Sequence, residues 1–260
     1  MRAEHDRGVL AGLLGRDPVL HAYQLGDLDD VWWPFTTWWR GGDEVVLMFH
    51  GVVPATVVAL ARPERVGALA EVLVGAAPVL PARVHAHLSP GVAAAVGGVV
   101  RVGPVVAHRR LALTDPGRLA GVRPEGVALT VADLPELVAL YAVAYPGNWF
   151  DPGMLAAGPY VGLRRGGELV AVAGVHVWSP GYGVAAVGNV ATHPRWRGRG
   201  LAAAVLARLC GRLRASVGHV VLNVRADNAV ALRLYGRLGF TVVAGYEETT
   251  LSAWGGSAAG

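Results

Sequence analysis

The residue types and spacing with the most chemistry in this chain lie at 189–202, which read Asn-Val-Ala-Thr-His-Pro-Arg-Trp-Arg-Gly-Arg-Gly-Leu-Ala. Gly198 and Gly200 lack a Cβ, so the backbone there can bend sharply and let a ligand approach its N–H groups. The next residues, from Leu201, form an apolar run without Gly or Pro that predicts a helix over 201–209. Unpaired N–H groups at a helix start, with the helix dipole behind them, suit a phosphate. Arg197 and Arg199 add positive charge and a fork that matches phosphate oxygens. Such a loop can hold a pyrophosphate.

The elements that must position this loop follow from its flanks. The apolar run 184–190 predicts a strand that Pro194 ends by removing a ladder donor. Downstream, 220–224 is a short apolar strand. Asp227 or Asn228 then caps a helix over 229–238 that stops at Gly239. The chain has no lysine, which excludes a Walker-type loop, and three-glycine dinucleotide spacing is missing.

Two motifs carry a family resemblance. Arg197, Gly200 and Ala202 form an Arg-x-x-Gly-x-Ala loop, and Asn228 is followed by Tyr235, Gly239 and Phe240. In this order they resemble the GCN5-related N-acetyltransferases (the GNAT superfamily) over residues 126–252. Residues 223–240 look most like the branch that acetylates ribosomal-protein N-termini. The stretch before them is similar to glycine N-acyltransferase-like proteins with an FR47-type C-terminal domain.

The resemblance implies an α/β (α+β) fold whose C-terminal part has a central mixed sheet flanked by helices. It also implies acetyl-CoA as the acyl donor. Strand N–H groups of Asn189, Val190 and Ala191 would bond the pantetheine and polarise the thioester carbonyl. Backbone amides of Arg197, Gly198, Arg199, Gly200, Leu201 and Ala202 would bind the pyrophosphate, and Asn228 would contact the cosubstrate near the thioester. Tyr235 is the expected general acid, because a phenol with pKa ~10 matches a departing alkyl thiolate. Read without the family frame, Tyr235 is a core tyrosine on an apolar helix face.

The general base stays open. Asn223 stands where the ribosomal-protein acetyltransferases carry a catalytic Glu, and an amide cannot accept a proton at neutral pH. His176, His193, Glu247 and Glu248 are the alternatives, with a water relay beside them. The expected acceptor is the primary amine of a small molecule or amino acid. A peptide N-terminus is the second choice, and a non-catalytic acyl-CoA-binding module is the rival from another class.

Composition sets the outer limits. With 260 residues, 53% hydrophobic and 16% charged, the chain can bury a large core. Net charge +4 suits an anionic ligand such as CoA and is too dispersed to demand nucleic acid. The single cysteine, Cys210, reads as a buried apolar residue, which fits a reducing compartment. The N-terminus does not read as a signal peptide, and no apolar stretch reaches the ~20 residues of a membrane span. The expectation is a cytoplasmic monomer or homodimer with no membrane or nucleic-acid partner and no metal in its catalytic machinery.

The Gly- and Pro-rich segment 114–125 reads as a linker between an N-terminal α/β domain at 1–113 and the catalytic domain at 126–252, with a flexible tail at 253–260. The N-terminal domain lacks both signatures and shows no internal sequence repeat, yet a degenerate GNAT copy fits its mixed pattern. Helices are expected at 10–14, 19–28 and 64–74, and strands at 44–49, 56–61, 82–88 and 99–113. In the C-terminal half a strand is expected at 127–131, a helix after Asp133, a short helix after Pro152, a hairpin around Gly166 and Gly167, and a last strand at 240–251. Half of the tryptophans fall at 32–39. They read as an apolar seam between domains or as a wall of the acceptor pocket.

Overall fold

A computed structural model describes residues 1–253; the expected tail lies, from residue 254 on, outside them. Contacts divide the chain into two units. One comprises Met1–Arg110, Arg225–Asp227 and the chain from Val243; the other comprises Leu111–Val224 and Asn228–Val242. The division falls just before the segment read as a linker. That segment is part of the second unit: Pro116–Gly121 is a 3-10 helix, and the N–H groups of Thr114 and Asp115 both donate to the Gly239 carbonyl.

The first unit runs β1 (Arg2–Ala3), α1 (Arg7–Leu14), α2 (Ala22–Gly26), β2 (Thr36–Gly41), β3 (Glu44–Phe49), β4 (Thr56–Ala59), α3 (Val66–Ala76), β5 (Arg83–Leu88), α4 (Val92–Val96), β6 (Val100–Val102) and β7 (Val106–Leu113), the last ending in the second unit. Pairing is antiparallel for β1/β2, β2/β3 and β3/β4 and parallel for β4/β5. Alternate residues of β5, Val84, Ala86 and Leu88, join Leu69, Val72 and Leu73 of α3 in one core cluster. His85 and His87 therefore face the other way.

The second unit runs β8 (Val127–Ala128), α5 (Leu134–Ala144), α6 (Pro152–Ala157), β9 (Val161–Arg165), β10 (Glu168–Ser179), β11 (Val184–Thr192), α7 (Leu201–Leu213), β12 (His219–Arg225), α8 (Ala229–Arg237) and β13 (Phe240–Ala253), the last belonging to the first unit from Val243 on. Pairing is antiparallel for β8/β9, β9/β10 and β10/β11 and parallel for β11/β12. Both units thus share one order through strand, two helices, three strands, helix, strand and helix, with the same pairing through the fifth strand, and the first then ends in two strands, β6 and β7, where the second has one. The N-terminal unit therefore repeats the topology of the second through its fifth strand.

In the second unit α7 lays Leu206, Leu209 and Leu213, all fully buried, on one face of the sheet. Each contributes about 1.5–3 kcal/mol by leaving water. Leu137, Leu140 and Tyr141 of α5 and Leu155 of α6 cover the other face. Gly166 and Gly167, at φ 60° and 87°, make the two-residue turn of the β9/β10 hairpin as expected.

Several expected elements differ. The strand at 127–131 is cut to Val127–Ala128, because Thr130 and Asp133 form a capping box that starts the helical turn. The single strand expected at 99–113 is two, β6 and β7, interrupted at Gly103 and Pro104. Within 19–28 only Ala22–Gly26 is α-helical, and α4 was not foreseen. The tryptophan segment contains strand β2. Trp38 and Trp39 are buried, Trp39 lies in the N-terminal core, and Trp33 stacks on Trp38 with ring centroids 6.3 Å apart. Trp38 and Trp39 are thus core residues, whereas Trp32 and Trp33 are half-buried.

Candidate active site

The site begins where β11 stops pairing. Val184–Val187 partners residues 219–222 of β12, and beyond Val187 and Leu222 no register continues although both strands do. On its other side β11 carries an irregularity. Val172 pairs with Ala191 and Gly174 with Gly188, so Asn189 and Val190 together oppose the single residue Ala173. This is a β-bulge, and it takes backbone groups out of the ladder. Asn189 sits at φ 53°, and no other non-glycine described residue has a positive φ. Asparagine tolerates that left-handed conformation better than most residues.

A buried network holds the bulge. The Tyr141 hydroxyl donates to the Asn189 carbonyl at 2.8 Å, and Asn189 Nδ2 donates to the Tyr160 hydroxyl at 3.0 Å. The Tyr160 hydroxyl donates in turn to the Val175 carbonyl at 3.2 Å. Burial pushes both phenols far above their ordinary range, so they are neutral donors. Gly188 precedes the bulge because a Cβ there would collide with the His176 ring. Replacing Asn189 with Ala should cost about 2 kcal/mol of stability, from the lost buried hydrogen bond and the left-handed backbone. Asn189→Gly should recover the backbone share. Urea denaturation of the full chain reads both, and equal stability of Asn189→Ala and the parent would refute the lock.

The loop after β11 is built from its own side chains. His193 Nδ1 accepts the Arg195 N–H at 3.2 Å and caps the 3-10 turn Pro194–Trp196. Arg197 donates to the Thr192 carbonyl at 3.2 Å and to the Ala144 carbonyl, the end of α5, at 3.0 Å. The Arg199 guanidinium lies over the Trp196 ring, 4.7 Å from its centroid. The fork expected of Arg197 and Arg199 toward phosphate is thus spent within the loop, since nearby carbonyls and an indole meet the guanidinium first. What the loop presents is backbone.

Gly198 and Gly200 are left-handed, at φ 76° and 77°, and a Cβ on either would meet nothing within 4 Å. Gly200 is the N-cap of α7, and the first helical bond runs from Ala204 N–H to its carbonyl. The amides of Leu201, Ala202 and Ala203 precede that bond and have no carbonyl within the helix to meet. A left-handed glycine leading into such amides forms a concave cluster suited to an anion. Open space, backbone donors and surrounding arginines fit a pyrophosphate.

Asn228 caps α8, its Oδ1 accepting the Ala231 N–H at 3.0 Å. Tyr235 is buried on α8 in the cluster that includes Leu201 and Leu222, edge-to-face with Phe240 at 6.0 Å. Asn223 follows the last paired residue of β12. Of the open base candidates, burial pushes His176 down to about 4, which leaves it neutral at pH 7 and too weak a base for an ammonium. His193 is committed to its cap. Glu247 and Glu248 belong to the N-terminal unit, on the part of β13 paired with β5.

Sequence reasoning missed the Tyr141–Asn189–Tyr160 network and the cavity beside it. Tyr141, Tyr145, Phe150 and Pro152 help line this cavity of about 270 Å³ between α5 and α6. The readable signal was an Asn directly after a Gly inside an apolar strand. A second depression of about 310 Å³, near Trp178 and Ser216, includes none of the loop or bulge residues.

The N-terminal copy is closed where this one opens. β4 and β5 pair along the whole of β4, and the Ser89 N–H donates to the Ala59 carbonyl. Ser89 Oγ then accepts the Ala61 N–H at 2.8 Å and donates to the Ala61 carbonyl at 2.9 Å. Its strand-to-helix loop has no glycine, holds Pro63 and Glu64, and ties Arg65 to Glu44 at 2.5 Å.

Comparison with known proteins finds one family pattern, which falls almost wholly within the second unit. The pattern described as the Acetyltransferase (GNAT) family matches residues 132–240. The chain is 36% identical over 124 residues to the N-alpha-acetyltransferase RimI of Mycobacterium tuberculosis, covering 44% of this chain and 75% of that protein. It is 30% identical over 99 residues to the L-methionine sulfoximine/L-methionine sulfone acetyltransferase of Salmonella typhimurium, covering 37% of this chain and 58% of that one. A solved tandem GNAT protein from the clavulanic acid biosynthesis pathway shares the fold at 16% identity and TM-score 0.60, over 96% of each chain. The fold and site define an N-acetyltransferase that uses an acyl-CoA. The chain belongs to the GNAT acetyltransferase family.

Proposed function

We propose that the second unit transfers acetyl from acetyl-CoA to the primary amine of a small molecule or amino acid. The observation that carries this is the conjunction of an opened β11/β12 pair, the Asn189 bulge and the left-handed Gly200 helix start, all lacking in the N-terminal copy. The amides of 198–203 would hold the pyrophosphate, and the bulged backbone of Asn189, Val190 and Ala191 would bond the pantetheine and thioester carbonyl. Asn228, at the start of α8, would lie near the thioester.

In the transfer the amine nitrogen bonds to the acetyl carbon, the carbon–sulfur bond breaks, and the sulfur takes a proton from Tyr235. The amine proton leaves to water, and solvent returns a proton to Tyr235 before the next turnover, since the described side chains offer no strong base at the bulge. Holding two substrates side by side supplies most of the rate. The aromatic cavity between α5 and α6, joined to the bulge through Tyr141, would seat the acceptor. Its modest volume favours a small amine. The identity to the mycobacterial RimI protein favours the second reading, a peptide N-terminus.

The test is acetyl transfer from labelled acetyl-CoA to amino acids, small amines and short peptides, read by product mass. Transfer to small amines above peptides is expected. Peptide-only transfer selects the second reading, and CoA binding without transfer to any amine would leave an acyl-CoA-binding module.

A further inference from the structure

A cluster of imidazoles lies on the N-terminal unit, outside the transferase site. His85 and His87 are two residues apart on β5 and point to the same side, away from the α3 core. Glu248, directly opposite His87 on β13, lies beside them. The carboxylate is 3.9 Å from His85 Nε2 and 3.6 Å from His87 Nε2. His108 of β7 brings a third Nε2 to 3.6 Å from the same group. One ligand atom from each of His85, His87 and Glu248 can be chosen so that all lie within 4.8 Å of one another.

These separations are too long for hydrogen bonds. They approach the ~3.4 Å between two ligand atoms each held ~2.0–2.1 Å from a tetrahedral Zn²⁺. The proton positions point the same way. His108 Nδ1 lies 3.1 Å from the Val106 carbonyl, which can only accept, so Nδ1 carries a proton and Nε2 is the ring nitrogen turned to Glu248.

The surrounding groups hold the rings as metal-binding imidazoles are usually held. Val106 is the outer carbonyl partner of His108. The Tyr246 hydroxyl donates to Glu248 Oε1 at 2.8 Å, and its ring lies 5.1 Å from that of His108 and 5.5 Å from that of His87. The four side chains that meet are between 10% and 22% exposed, sheltered yet reachable by an ion. Arg110 lies nearby, its guanidinium 5.7 Å from the Tyr246 centroid and hydrogen-bonded to the Leu20 carbonyl, so one carboxylate and one guanidinium share this face. Neutral nitrogen donors with a single carboxylate suit zinc-type ions over magnesium or calcium.

From this geometry we propose that the N-terminal copy holds a divalent transition-metal site of the Zn²⁺ type, with His85, His87 and Glu248 as ligands and His108 beside them as a fourth. The site does not depend on the transferase assignment, and it gives the second copy a task of its own.

The experiment uses the full chain made without a polyhistidine tag, loaded with ZnCl₂, desalted and assayed by elemental analysis and calorimetry. About one retained zinc per chain is expected. His87→Gln and Glu248→Gln should each weaken zinc binding at least tenfold, while His50→Gln, on a histidine paired with Thr37, should leave it unchanged. Chelator treatment of the parent chain should lower its Tm, which reads the site even if a variant folds poorly. Retention below a tenth of an equivalent by the folded parent chain would overturn the proposal, as would unchanged binding in folded His87→Gln and Glu248→Gln. Either result would mean that protons alone hold the cluster together.

Discussion

Gly200→Asp is expected to raise the dissociation constant for acetyl-CoA by more than tenfold while leaving the chain folded. Gly200 sits at φ 77° as the N-cap of α7, and a side chain there would project into open space. Left-handed backbone costs an ordinary residue about 1–2 kcal/mol, and aspartate is among the residues that tolerate it best. Aspartate is also a good N-cap. Its carboxylate would accept the same first-turn N–H groups that the pyrophosphate needs, and would repel the phosphates as well. Every 1.4 kcal/mol of lost interaction is a factor of ten in affinity. Gly200→Ala carries the backbone strain without the charge and should weaken binding less. Calorimetry of the two folded variants separates strain from charge, and unchanged affinity in Gly200→Asp would remove this loop as the phosphate site.

Tyr235→Phe should lower kcat by about 10²-fold, the lower part of the range for a positioned general acid, and leave the Kd for acetyl-CoA unchanged. The phenylalanine keeps the edge-to-face packing on Phe240 and the burial in the core, so the fold should persist. The change removes the phenol that would supply the proton to the departing sulfur. A kcat within twofold of the parent, under conditions where chemistry limits turnover, would return Tyr235 to the role of a core residue.

Where sequence spoke clearly, local periodicity and turn chemistry spoke together. The α7 helix and its glycine start, the β9/β10 hairpin and a cap at Asp227 or Asn228 were all legible, because each is decided by residues within a few positions of one another, and the structure selects Asn228. What long-range contacts decide was not legible. The 3.0 Å bond from Asn189 to Tyr160 joins residues 29 apart, and nothing local marks Tyr160 as its partner. Arg197 carried the right motif, but the structure turns its guanidinium to the Thr192 and Ala144 carbonyls. The repeated topology was legible only as a mixed pattern that a degenerate copy would fit, for a related reason. The N-terminal unit keeps the apolar alternation that pairs its strands, whereas the glycines and asparagines that make a signature are gone. In their place stand Pro63, Glu64 and Ser89, residues that close a loop and zip two strands. The same face of β5 acquired His85 and His87, whose partners on β7 and β13 no sequence spacing connects.

Amide hydrogen exchange of the full chain reads most directly whether one copy of the fold binds acetyl-CoA and the other does not. With saturating acetyl-CoA, the account predicts slowed exchange at 188–191 and at 198–203, where the bulge and the α7 amides meet the ligand. Residues 59–67, the matching strand end and loop of the N-terminal copy, should exchange at the same rate with and without it. Protection at 59–67, or unchanged exchange across both C-terminal segments at saturation, would contradict the account.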